Sequence, residues 1–154
     1  MSQAGDGRMR LSSWRNVVVS VWPDAATTIE VASLHAEAER VAKHTRRPVG
    51  LVLVVLETAP PSGNDARARA VEMLRKLGPQ VGFVALVVEG DGFRPASVRA
   101  MFTGISLLLS PGFPWRIFRT IDELASWTPM GTLADPASID ELRALSDSLR
   151  PEAR

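Results

Sequence analysis

The segment Pro48–Thr58, PVGLVLVVLET, constrains the fold more than any other stretch of the chain. From Val49 onward no polar side chain appears before Glu57, and most residues are Val or Leu. A membrane span needs about 20 apolar residues, so this run is too short for one. Its β-branched content reads as a strand buried on both faces, and such a strand lies inside a sheet that other elements cover. Val81–Glu89, VGFVALVVE, has the same character and reads as a neighbour.

The segments between these runs have helical spacing. Thr27-Thr28-Ile29-Glu30 has the form of a capping box, and Val31, Leu34, Ala38 and Val41 follow as one apolar stripe towards Thr45. Asn64 or Asp65 is placed to cap a second helix, with Ala66, Ala70, Val71, Leu74 and Leu77 on its stripe and Gly78-Pro79 at its end. Gly90-Asp91-Gly92 reads as a turn, with Pro95 at the first position of a third helix carrying Val98, Met101, Phe102, Ile105, Leu108 and Leu109. Trp14–Trp22 reads as the first strand and Pro114–Arg119 as the last. Thr120-Ile121-Asp122-Glu123 is a second capping box opening a short helix to Trp127, which Pro129-Met130-Gly131 breaks. Asp135-Pro136 then introduces an amphipathic segment with Ile139, Leu142, Leu145 and Leu149 in a narrow stripe.

Four strand–helix units in series predict an α/β fold with a mainly parallel sheet. Right-handed crossovers between strands in spatial order place the helices mostly on one face, and a doubly wound sheet with helices on both faces is the alternative. The expected organisation is a flexible arm over 1–12, one α/β domain over 13–130, and a linker with an amphipathic helix over 131–154. That last helix has two readings: docking on the open sheet face, or contact with a partner or a second copy.

Composition removes several function classes. The chain has 154 residues, no cysteine and a net charge of +1. Disulfides, thiolate catalysis and Cys-based zinc sites are excluded. A balanced charge argues against a nucleic-acid binder. No secretory leader and no membrane span are read, and the expectation is a cytoplasmic protein.

Candidate chemistry is sparse. Glu57, Glu89 and Asp91 fall at strand ends, where α/β sheets bind ligands, but no Lys on a later strand completes a receiver-type site. Gly90–Phe93 lacks the spacing of a phosphate-binding loop. His35 and His44 are nine positions apart on one helix and cannot share a metal. No catalytic residue, metal site or cofactor is expected. Arg67, Arg69, Arg75 and Lys76 make the second helix basic, as a patch for an acidic partner or as a solvated face. Trp115 and Trp127 are expected in the core, and Trp14 and Trp22 at an interface.

The element order resembles the STAS domain superfamily, the anti-sigma-factor-antagonist fold related to the CRAL-TRIO lipid-binding domains. The resemblance covers roughly 14–129. It rests on Leu51–Leu56 leading to Ser62-Gly63 before a helix, on Trp115–Phe118 leading to Arg119–Trp127, and on the length of each unit. It implies a non-catalytic regulatory module acting by protein–protein interaction in bacterial-type signalling, with a protein partner or a homodimer. In switch-type relatives a hydroxyl residue beside a Gly in the loop after the central strand is phosphorylated. Ser62 takes that place, although Pro60-Pro61 replaces the acidic neighbour of the family pattern. The interaction loop is then Pro61, Ser62, Gly63, Asn64 and Asp65 with Asp91 and Phe93, and the partner helix presents Ile139, Leu142, Leu145 and Leu149. The alternative is a small-molecule or lipid-binding domain of the same fold. It requires an apolar cavity, expected under the third helix where Met101, Phe102 and Ile105 gather.

Overall fold

The long apolar run forms the middle strand of the sheet. A computed structural model describes residues 8–132 and 139–151. Its five strands lie in chain order: β1 (Arg10–Trp14), β2 (Val17–Trp22), β3 (Val49–Val55), β4 (Val81–Val88) and β5 (Trp115–Phe118). β2 to β5 are parallel neighbours and β1 is antiparallel to β2. The fold is α/β with a mostly parallel sheet. Every residue of β2 and β4 is buried, as two-sided covering demands.

The first strand differs from the expectation of a single run over Trp14–Trp22. The chain reverses at Arg15 (φ 56°) and Asn16, so Arg10–Trp14 form an edge strand where an arm was expected over residues 1–12. Asn16 is fully buried, and its side-chain amide donates to the Pro48 carbonyl at 3.0 Å, which anchors the turn to the start of β3. Trp22, expected at an interface, is a core residue whose indole donates to Ser20 Oγ at 2.8 Å.

Three helices supply one cover: α1 (Thr28–Thr45), α2 (Asn64–Leu77) and α3 (Phe93–Leu109). Val31, Leu34, Ala38 and Val41 of α1, Met73, Leu74 and Leu77 of α2 and Val98 of α3 join Val18, Leu51, Val84 and Leu86 of the sheet in one cluster. The capping box of α1 is present: Glu30 N donates to Thr27 Oγ1, and Thr27 N donates to Glu30 Oε1. The cap of α2 is Gly63, which has no side chain to offer, and not Asn64 or Asp65. α3 begins at Phe93, so Pro95 is its third residue.

The opposite face carries Val17, Val19, Val21, Val52, Val54, Phe83, Ala85 and Val87. It is covered by a 3-10 helix (Ile121–Ser126), through Ile121 and Leu124, and by α5 (Ile139–Leu149). The first of these helices ends at Ser126, before Pro129-Met130-Gly131 as expected, and those three residues lie in a separate short helix, α4 (Thr128–Thr132). Phe83 lies across Gly50, where an added Cβ would stand 2.2 Å from the ring. Trp127 meets Phe83 edge-on at 5.6 Å and Phe118 at 5.3 Å, a geometry that suits the aromatic quadrupole.

The terminal stripe lies against this second face of the sheet. Leu142 and Leu149 are buried in the second cluster, with Ile139 and Leu145 half-buried against it. Arg143 binds Asp122 and Asp140, Trp14 Nε1 donates to Glu141 at 3.2 Å, and Arg150 Nη1 donates to Glu89 at 2.9 Å. The hydrogen bonds to Glu89 push the Arg150 pKa up. The helix start expected at Asp135-Pro136 lies outside the described residues.

Candidate functional site

Parallel strands in chain order bring the loops after β2, β3 and β4, and the starts of α1, α2 and α3, to one end of the sheet. Three hydrogen bonds join these loops. Ala26 N donates to Ser62 Oγ at 3.3 Å, Thr58 Oγ1 donates to the Pro23 carbonyl at 3.0 Å, and Arg94 Nη1 donates to the Thr58 carbonyl at 3.2 Å. The surface they form therefore has a defined shape.

Ser62 sits just before the Gly63 cap of α2 and is half-buried. Pro61, Gly63, Asn64 and Asp65 are exposed beside it. A crevice of about 440 Å³ separates the starts of α1 and α2, walled by Thr27, Thr28 and Gly63–Ala66. Asn64 accepts a hydrogen bond from Arg67. Asp91 is held by Arg119 at 2.6 Å, in an ion pair open to solvent. Phe93 is 86% exposed at the first position of α3, and Ile29 is 78% exposed at the second position of α1.

Sequence reasoning did not single out Ile29. It falls off the stripe set by Val31, Leu34, Ala38 and Val41, and that offset was the available signal.

The strand-end carboxylates do not converge. Glu57 is exposed and packs against Gly90, where a Cβ would stand 2.5 Å from Glu57 Cγ; the positive φ of 92° at Gly90 belongs to the same tight turn. Glu89 points to Arg150, and Asp91 to Arg119. Among the described residues no three acidic or histidine side chains gather as metal ligands do. In the second capping box, backbone N–H groups of Arg119 and Thr120 donate to Glu123 at 2.6 and 3.1 Å and hold its carboxyl below the usual range. That box shapes the chain at the end of β5.

A second feature lies under the helices. A cavity of about 70 Å³ sits between the sheet and the inner faces of α1, α2 and α3, with Met101, Phe102 and Ile105 in its wall, where an apolar cavity was expected. Trp22, Trp115 and Ser62 also line it. Among the described residues the buried Trp115 indole N–H has no acceptor. Beside the cavity an open groove of about 840 Å³ runs between α2 and α3. Arg67, Met101 and Ile105 line both spaces, so one wall separates them.

Among the described residues no helix is long and apolar enough to cross a membrane. No protein-family model, curated protein or solved structure matches the chain.

Proposed function

We propose that the protein is a non-catalytic regulatory module of STAS type that acts by protein–protein interaction in signalling of bacterial type. The observation that carries this reading is the pair of exposed apolar side chains, Ile29 and Phe93, on the end of the sheet that also bears Ser62 and Asp91. A protein partner that spans the starts of α1 and α3 would cover both side chains. Ser62 is the switch in this reading. A phosphate on it would lie at the start of α2, where Gly63 leaves the first-turn amides without a side-chain cap.

A photo-crosslinking residue at position 93, introduced in the native host, tests the reading. The expected result is a covalent adduct with one protein, or with a second copy of the chain. Ile29→Asp is expected to abolish the adduct, and a crosslinker at exposed Ala36 is expected to give none. Equal labelling from positions 93 and 36 would sink the idea. Ser62→Glu is expected to change the yield at position 93 if the loop is a switch, and an unchanged yield removes Ser62 from that role.

A small-molecule or lipid-binding domain is the second reading. It is favoured by the apolar cavity beneath α3 and its shared wall with the α2–α3 groove.

A further inference from the structure

The cavity and the groove differ in size and chemistry, and the difference points to one kind of ligand. At about 70 Å³ the cavity is roughly half the ~150 Å³ that admits a benzene ring in an engineered core. It has room for the end of a chain and not for a whole ligand. The groove next to it has an apolar floor, with Val71 of α2 and Ile105 and Leu108 of α3, and Leu108 is 65% exposed there. A chain leaving the cavity would lie on that floor.

The rim of the groove is basic. Arg67, Arg75 and Lys76 line it with one acid, Glu72, and Glu72 is paired with Arg69 at 3.0 Å. Among the described residues Arg75 and Lys76 have no acidic partner. Met101 and Ile105, one turn apart on α3, form the shared wall. Met101 is unbranched and half-exposed, so it can swing aside at little cost.

We propose that groove and cavity form one site for a monomeric, single-chain anionic amphiphile, with its head group on Arg67, Arg75 and Lys76 and its chain entering past Met101. This rests on the small-molecule reading and names the ligand class for it. The head group is a carboxylate or a phosphate, since both satisfy surface cations that have no acidic partner among the described residues. Chain burial supplies most of the affinity, about four-fold per methylene, and the cations select the head group.

The test uses the full chain and brominated probes below their micelle concentrations. Trp22 and Trp115 line the cavity, whereas Trp14 and Trp127 pack on the other face of the sheet. A bromine at the chain end therefore quenches part of the tryptophan emission. We expect 12-bromododecanoate and the matching alkyl phosphate to quench, and 12-bromododecanol and the trimethylammonium analogue to bind at least five-fold more weakly. Arg75→Gln with Lys76→Gln is expected to weaken carboxylate binding roughly ten-fold, as two surface ion pairs allow, and to leave the alcohol unchanged. Trp115→Phe should reduce the quenching amplitude.

Gly104→Phe should abolish binding without harming the fold, because Gly104 lines the groove and a Cβ there meets nothing within 4 Å. If the alcohol binds as tightly as the carboxylate, the anionic class is wrong and only the cavity reading survives. If none of the four probes quenches, both fall. Sedimentation with phosphatidylglycerol vesicles that Gly104→Phe does not alter would assign the cations to a bilayer surface and overturn the proposal.

Discussion

The two faces of the sheet are built from similar apolar strands and covered in different ways. Three long helices cover the first face and leave a void beneath α3, with Met101 and Phe102 only half-buried over it. The second face is covered by a 3-10 helix, a short helix and α5, yet its aromatic cluster of Phe83, Phe118 and Trp127 interlocks and Leu124 and Leu142 are fully buried. The amount of helix above a sheet does not decide how well it packs. What decides is whether side chains of opposite layers meet at the right depth. On the second face Gly50 makes that depth available to Phe83. On the first, the inner face of α3 stands over a gap.

This contrast can be broken most directly by truncation on each face. Leu142→Ala is expected to cost about 2–5 kcal/mol, the range for a fully buried leucine. Met101→Ala is expected to cost less than about 1.5 kcal/mol, because its side chain already borders empty space. Urea denaturation of both variants checks this, and equal losses would mean that the first face is as tightly packed as the second.

Next in size is Gly50→Ala, which forces Phe83 to move and should cost about 1–3 kcal/mol. The same substitution in a Phe83→Leu background should cost less, and a double-mutant cycle measures the coupling. The third change works in the opposite direction. Ala70→Leu, directed into the cavity wall, is expected to stabilise by about 0.5–2 kcal/mol in thermal unfolding. A loss would show that the wall cannot accept the added volume.

The smallest expected effect concerns Glu123, beside the second face. Its folded pKa lies below the ordinary carboxylate value because two backbone N–H groups donate to it. Its contribution is therefore present above the unfolded pKa and disappears as pH falls through the folded one. The stability gap between wild type and Glu123→Ala should be present at pH 7 and close once pH falls below the ordinary carboxylate range. A gap that persists at low pH would assign the effect to packing.

How much of this was legible in the sequence varied with the kind of information needed. β3 and β4 announced themselves because burial on both faces leaves an unbroken apolar run, and α1 did so through Thr27 and Glu30. β1 was hidden: Arg10-Leu11-Ser12-Ser13-Trp14 is an edge segment with little alternation, and its turn uses Arg15 at positive φ where a glycine or asparagine is the usual sign. The terminal stripe of Ile139, Leu142, Leu145 and Leu149 showed that something is covered, but a stripe does not say by what. The cavity position could be anticipated from the clustering of Met101, Phe102 and Ile105. Its size could not, since apolar residues lining a void look the same in a sequence as those filling a core. Ser62 was placed by its loop, whereas the exposure of Ile29 and Phe93 depended on how the helices start.

The cover of the second face also sets a schedule for synthesis. Once β5 has been made the sheet can assemble, but Val17, Val19, Val21, Val52 and Val54 lack α5 until about thirty further residues are added. At about 5–20 residues per second that interval lasts roughly 2–6 s. Closure of the second face by α5 is thus the last packing step that the order of synthesis allows.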